Sequence, residues 1–243
     1  MIPTLLSYAA TDVGTVRKHN EDALVDRPDN GLWAVADGAG GHAAGEVASH
    51  MLADTLSSIP AALGPDEAMT QIRMRVSAVH TALRREAARR GAAMIASTIV
   101  VLLVRDAYFA CLWAGDSRAY LIRDGALRQV SRDHSLVQDL LEARAITPEQ
   151  AERHPQANVI TRAVGGDEDD VELDKVIGKI APGDRFLLCS DGVNKVLGDH
   201  YIESLLLSTM FNPATELLRA ALDRGARDNI TAVVVDVPAD ANS

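Results

Sequence analysis

Short apolar runs and longer stretches of helical spacing follow one another here as strands, two helices, strands, two helices, strand. A parallel α/β fold needs strand and helix to alternate one for one. The order points instead to an antiparallel sheet core with helices segregated on its outer faces. Residues 5–37 read as strand-rich and end in Leu32-Trp33-Ala34-Val35-Ala36, a run suited to a buried strand. Ala44, Ala48, Met51, Leu52, Leu56 and Ile59 then recur at helical spacing, with Pro60 just past the end. A second helix is predicted over 66–90, with basic residues toward its C-terminus and Gly91 beyond. Strands are expected at 97–105, 108–113, 119–123 and 126–130, joined by short turns as an antiparallel meander. Residues 135–157 are more polar and read as helical in part. Strands at 171–176 and 185–189, helices at 199–207 and 213–224, and a strand at 230–237 complete the reading.

The chain has 243 residues, enough for a large core in one domain or two small ones. Hydrophobic residues at 47% and charged residues at 24% argue against disorder. With 24 Lys and Arg against 34 Asp and Glu, the formal net charge is -10. Such a surface repels phosphate backbones, so nucleic acid is not an expected partner. The two cysteines, Cys111 and Cys189, have no metal-binding spacing, which excludes a disulfide scaffold and a thiolate zinc site and suits a reducing compartment. The first basic residue is Arg17, so no targeting segment is visible, and the longest apolar stretch, 95–104, falls short of the about 20 residues a bilayer needs. The expectation is a cytoplasmic protein with no membrane segment.

Three Asp-Gly pairs mark three different places. Asp124-Gly125 lies between two alternating runs and reads as a hairpin turn. Asp37-Gly38 follows the buried run 32–36 and leads into a glycine cluster and a helix; Asp191-Gly192 follows Phe186-Leu187-Leu188-Cys189-Ser190. Each places a carboxylate at the end of a buried strand, where it needs a cation or hydrogen-bond donors to offset its desolvation. Glu21, Asp22, Asp116 and Asp228 occupy comparable positions beside strands. Taken singly, each is equally a turn or cap residue. Together, with no matching cluster of Lys or Arg, they repel unless cations sit between them. An all-oxygen set favours Mg2+ or Mn2+ over zinc.

These segments resemble, in order and over nearly the whole chain, the bacterial metal-dependent PPM/PP2C-type protein serine/threonine phosphatases. The resemblance is carried by Arg17-Lys18-His19-Asn20-Glu21-Asp22, by Asp37-Gly38-Ala39-Gly40-Gly41-His42-Ala43-Ala44-Gly45-Glu46 and by Gly115-Asp116-Ser117-Arg118. It continues through Asp133-His134-Ser135, Thr161-Arg162-Ala163-Val164-Gly165, Cys189-Ser190-Asp191-Gly192 and Asp228-Asn229-Ile230-Thr231. It implies an α+β fold, a four-layer α-β-β-α sandwich of two central antiparallel sheets flanked by helix pairs, forming a single domain over 1–243. A flap subdomain is expected within 135–160.

The resemblance also implies metal-dependent hydrolysis of phosphoserine and phosphothreonine on proteins, reversing the action of a bacterial serine/threonine kinase. Asp37 would bridge two Mn2+ or Mg2+ ions. Asp191 and Asp228 would complete one of them, and Glu21 and the Gly38 carbonyl the other, with Asp22 supporting bound water. Asp116 would share a third, weaker metal with Asp191. Arg17 would clamp the substrate phosphate through its planar fork. A water activated by the two metals would attack phosphorus, with no phosphoenzyme and no cysteine nucleophile. Many eukaryotic relatives carry a histidine after the second motif's Asp-Gly as proposed general acid; here that position is Ala39. His42 is the candidate proton donor, the alternative being a polar residue that packs the loop. His134 reads as structural. A monomer is the default.

Rival readings lack their context. Gly38-Ala39-Gly40-Gly41-His42-Ala43 satisfies a dinucleotide-binding G-x-G-x-x-G/A pattern, but a parallel strand bearing an acid should follow its helix, and residues 60–91 read as another helix. Asp37 would also face the anionic pyrophosphate. A phosphoprotein-binding module or inactive phosphatase should lack metal acids, and all the main ones are present. The acidic run 167–170 has no 12-residue calcium-loop pattern.

Overall fold

The computed structural model describes residues 5–40, 44–208 and 211–239. Strands β1 (Leu6–Asp12), β2 (Asp22–Arg27) and β3 (Leu32–Ala39) come first, then helices α1 (Ala44–Ser57) and α2 (Pro65–Arg90). Strands β4 (Ala96–Ser97), β5 (Ile99–Arg105), β6 (Tyr108–Ala114), β7 (Arg118–Arg123) and β8 (Ala126–Gln129) follow. After α3 (Leu136–Glu142) and α4 (Pro148–Glu152) come β9 (Asp174–Lys179), β10 (Arg185–Cys189), α5 (Asp191–Leu197), α6 (Asp199–Ser208), α7 (Pro213–Asp223) and β11 (Ile230–Asp236).

One sheet runs β1-β11-β10-β7-β8 and the other β2-β3-β5-β6-β9, with β4 paired to the end of β3. Every strand pairing is antiparallel. The period of two along a strand explains the four layers. In β5, Ile99, Val101 and Leu103 pack into the core under α1 and α2, whereas Val100, Leu102 and Val104 enter the core between the sheets. In β11, Val233 and Val235 join that middle core, and Ile230, Ala232 and Val234 face the core under α5, α6 and α7. Strands covered on both faces are apolar throughout, which is why these runs show no alternation. Each such Val, Leu or Ile contributes about 1.5–3 kcal/mol on burial.

The expected α+β sandwich is present, with three differences in detail. The meander is not continuous: β6 and β7 lie in different sheets, and the chain crosses between them at Gly115, whose φ is +114°. A Cβ there would lie 2.6 Å from the Thr98 side chain, so the crossing runs flush against the start of β5. Strand β9 begins at Asp174 instead of residue 171. The second helical face carries α5 as well as α6 and α7; α5 was not expected, because its seven residues open on an Asp-Gly turn signal. The Asp124-Gly125 hairpin is as expected, with both residues at positive φ. Helix α2 ends at Gly91 in the left-handed conformation. Cys111 and Cys189 are free and buried, and burial pushes both thiols up to about 12. No helix among the described residues is long and apolar enough to cross a membrane.

Candidate active site

The acids singled out in the sequence come from both sheets and meet at one end of the sandwich. Antiparallel pairing sets Asp22 of β2 directly opposite Asp37 of β3. Asp191 opens α5 straight after β10, and Asp228 precedes β11, the neighbour of β10. Glu21, Asp37, Asp191 and Asp228 line a cleft of about 1070 Å³, together with Arg17 and Lys195. Asp22 and Asp116 are buried behind its wall, at 3% and 4% exposure. His42 lies outside the described residues.

Backbone contacts hold the parts in place. The Asp37 amide donates to Thr98 Oγ1 at 3.1 Å, and its carbonyl accepts from the Thr98 amide at 2.8 Å and Ser97 Oγ at 3.0 Å. The Gly38 amide donates to the Glu21 carbonyl at 3.0 Å. Asn229 Oδ1 accepts from the Glu21 amide at 2.8 Å, while its Nδ2 donates to the carbonyls of Val13 and His19. One side chain thus pins the Arg17–Asp22 motif to the start of β11. The glycines permit close approach: a Cβ on Gly45 would lie 2.7 Å from Gly38 carbonyl atoms, and one on Gly192 would lie 2.1 Å from the Asn229 carbonyl oxygen.

The electrostatics are those of crowded carboxylates. Asp22 Oδ2 accepts from Ser190 Oγ at 2.8 Å and Thr231 Oγ1 at 2.7 Å, but Oδ1 is buried with no partner among the described residues. Ser190 is the N-cap of α5 and caps nothing with its side chain; its hydroxyl serves Asp22 instead. Burial pushes the Asp22 carboxyl up to about 7, with the two hydroxyls pulling the other way. Asp37 is partly open to the cleft by surface area yet deeply embedded, and burial followed by Asp22, Asp191, Asp116 and Asp228 raises it well above the carboxylate range. Asp116 is pushed up to about 6 by burial and then Asp191, against the pull of Lys195; its Oδ1 also has no partner.

Two side-chain cations pair with the acids: Arg17, expected here to clamp a phosphate, and Lys195, for which no role was expected. Arg17 Nη2 pairs with Asp228 Oδ2 at 2.7 Å, and Lys195 Nζ with Asp191 Oδ2 at 2.5 Å. Among the described residues no three His, Cys, Asp or Glu side chains form a ready-made metal cage. Asp191 and Asp228 turn one oxygen each to Lys195 and Arg17. His134 is structural, as read: Nδ1 accepts from the Gly115 amide at 3.1 Å, and Nε2 lies 3.3 Å from Asp174 Oδ2. Asn20, Thr98, Asn158, Ser190, Lys195, Asn229 and Thr231 were not singled out for a role. Of these only Lys195 had a local signal, its position four residues after Asp191, visible once α5 is known to be a helix.

Relatives share this architecture. Serine/threonine protein phosphatase PstP of Mycobacterium tuberculosis is 36% identical over 239 residues, or 97% of this chain. The chain spans about half of that relative's length, 46%. The structure of PppA, a key regulatory component of T6SS in Pseudomonas aeruginosa, superposes with a TM-score of 0.89 at 44% identity, covering 97% of this chain and 98% of that one. The catalytic domain of PstP in complex with 2 manganese ions gives a TM-score of 0.86 at 34% identity, covering 96% and 98%. Residues 15–233 match the family model for protein phosphatase 2C. That span takes in every carboxylate of the cleft, and the chain belongs to the protein phosphatase 2C family.

Proposed function

We propose that this cleft hydrolyses phosphoserine and phosphothreonine on proteins with the aid of two Mn2+ or Mg2+ ions. The observation that carries the reading is Asp22 Oδ1, a buried carboxylate oxygen without a donor beside Asp37. A buried anionic oxygen is costly without a counter-charge. The donor set is all oxygen, which fits hard divalent cations, and the PstP catalytic domain binds two manganese ions. The residues fit the group. Asp37 would bridge the ions, Asp191 and Asp228 would hold one, and Glu21 with the Gly38 carbonyl would hold the other. When bound, the ions lower the pKa of water and offset charge on the phosphoryl oxygens.

The remaining work falls to the chain's own groups. Asp22, already held by Ser190 and Thr231, would accept from a water carried by the ions and orient it. Arg17 is half exposed at the cleft rim, positioned to exchange Asp228 for a substrate phosphate. His42 is the candidate proton donor to the leaving seryl or threonyl oxygen. The chain acts as one domain with a flap within 135–160, where α3 and α4 stand beside the cleft-lining residues 158 and 160–163. Free buried cysteines suit a reducing compartment such as the cytoplasm, and the reading is completed by a monomer acting on products of a bacterial serine/threonine kinase.

The test is phosphate release from a phosphothreonine peptide with and without Mn2+ or Mg2+, alongside Asp37→Asn and Asp191→Asn. Metal-dependent release, abolished by chelator and by both substitutions, is expected. Folded, metal-loaded wild-type protein that releases nothing from varied phosphopeptides would overturn the reading.

A further inference from the structure

We infer that the Lys195 ammonium is a built-in cation, standing between Asp116 and Asp191 where a third metal ion would otherwise bind. Through Asn158 it also ties the 135–160 segment to the carboxylate cluster. The inference rests on the two-metal reading above and concerns only the edge of that site.

Lys195 Nζ lies 2.5 Å from Asp191 Oδ2, 3.4 Å from Asp116 Oδ2 and 2.9 Å from Asn158 Oδ1. An ammonium has three donors and no acceptor, so this one is fully used on three oxygens. Helix α5 sets the geometry: residues four apart lie on one face, so Asp191 and Lys195 project together at the cleft. A Mg2+ ion shared by Asp116 and Asp191 would need those oxygens at about 2.0–2.1 Å. The ammonium occupies the same space and repels a second cation from it.

The third contact reaches the flap. Asn158 adjoins the pairing that closes the base of the flap: the Leu136 amide donates to the Val159 carbonyl, Ser135 bridges to Ile160, and the Thr161 amide donates to the His134 carbonyl. Lys195 is therefore a positioning residue, joining α5, the strand-end acid Asp116 and the flap base. Asp116 keeps Oδ1 without a donor. Removing the ammonium would free its second oxygen and one of Asp191, enough to admit a weak cation.

Mn2+ alone, titrated into chelator-stripped protein with free Mn2+ counted by its electron paramagnetic resonance signal, tests this directly. Two ions are expected for the wild type and two for Asp116→Asn. Lys195→Met should take up a third, weaker ion, and adding Asp116→Asn to it should remove that ion. A wild-type stoichiometry of three that drops to two in Asp116→Asn would overturn the built-in cation and leave the two-metal reading standing. Absence of strong Mn2+ binding in the wild type would overturn both. Hydrogen exchange supplies the second readout: Lys195→Met should speed exchange across residues 156–160 by about tenfold, as expected for loss of one hydrogen bond to a charged group. Unchanged exchange would overturn the tie to the flap.

Discussion

Asp22 and Asp37 are register partners across β2 and β3, two carboxylates set directly opposite each other on one face of a sheet. Such partners have Cβ atoms about 4.5–5.5 Å apart, and like charges there destabilise the pairing. The arrangement opposes folding unless a cation or a proton relieves it.

Neutralising one partner should therefore stabilise the metal-free protein while removing activity. Asp37→Asn is expected to raise the free energy of unfolding in chelator by about 1 kcal/mol. Mn2+-dependent phosphopeptide hydrolysis should fall by more than about 100-fold, since loss of even an outer-shell partner costs 10–100-fold. Urea unfolding in EDTA, paired with phosphate release, checks both; a destabilised Asp37→Asn in EDTA would refute the claim that repulsion dominates there.

Ser190 and Thr231 carry the compensation for Asp22. Each hydroxyl donates to Oδ2, at 2.8 and 2.7 Å. Thr231→Val keeps the shape and deletes the donor, and should cost about 1–3 kcal/mol. In an Asp22→Asn background the cost should shrink, because the group left unpaired no longer carries charge. Equal losses in the two backgrounds, measured by denaturant unfolding, would show that the hydroxyl acts through its other contact, Thr11 Oγ1 at 2.7 Å, and not through the Asp22 charge.

Gly45 lies within α1, where Gly→Ala ordinarily gains about 1 kcal/mol. Here the sign should reverse. The added Cβ would meet the Gly38 carbonyl carbon and oxygen at 2.7 Å, so Gly45→Ala should destabilise by about 1–3 kcal/mol and weaken Mn2+ binding by shifting the Gly38 carbonyl. Gly64→Ala, whose Cβ would point into open space, is the steric control; as the N-cap of α2 it should cost about 0.5–1 kcal/mol and leave Mn2+ binding unchanged. Thermal melts and Mn2+ titration of the two variants decide the matter.

His134 should make stability fall in mild acid. Burial, then the Arg162 cation and more weakly Arg132, lower its pKa, while Asp174 pulls upward. Nδ1 accepts from the Gly115 amide and must stay unprotonated to do so. As pH falls below about 6.5, the unfolded chain takes up a proton that the folded one resists, so this contribution is complete above that value and is lost toward the folded pKa. The slope is at most about 1.4 kcal/mol per pH unit. His134→Asn retains an acceptor without the titration, and its melting temperature should depend less on pH between 5 and 7 than the wild type's. Parallel profiles would exclude His134 as the source.

The strand and helix order was legible because period and burial are local. A strand covered on both faces, such as β5 or β11, is apolar along its middle, and Gly91 or Pro60 ends a helix by its own backbone limits. Helix α5 escaped because seven residues opening on Asp-Gly carry more turn signal than helical period. The β6–β7 crossing escaped because a short link between strands looks the same whether it turns back into one sheet or passes to the other.

By itself, then, the sequence determined that acids stand at strand ends in a recurring order, since each segment's chemistry is written in neighbouring residues. Tertiary structure decided which of those acids share a site and what faces them. Asp22 meets Asp37 through strand register, Ser190 leaves its own helix to serve Asp22, and Asn229 holds a loop some two hundred residues earlier in the chain. Lys195 joins the cluster from α5, and Arg17, placed at the site by its motif, turns to Asp228. Those relations depend on distance in space, and a linear pattern carries no information about it until the sheets have formed.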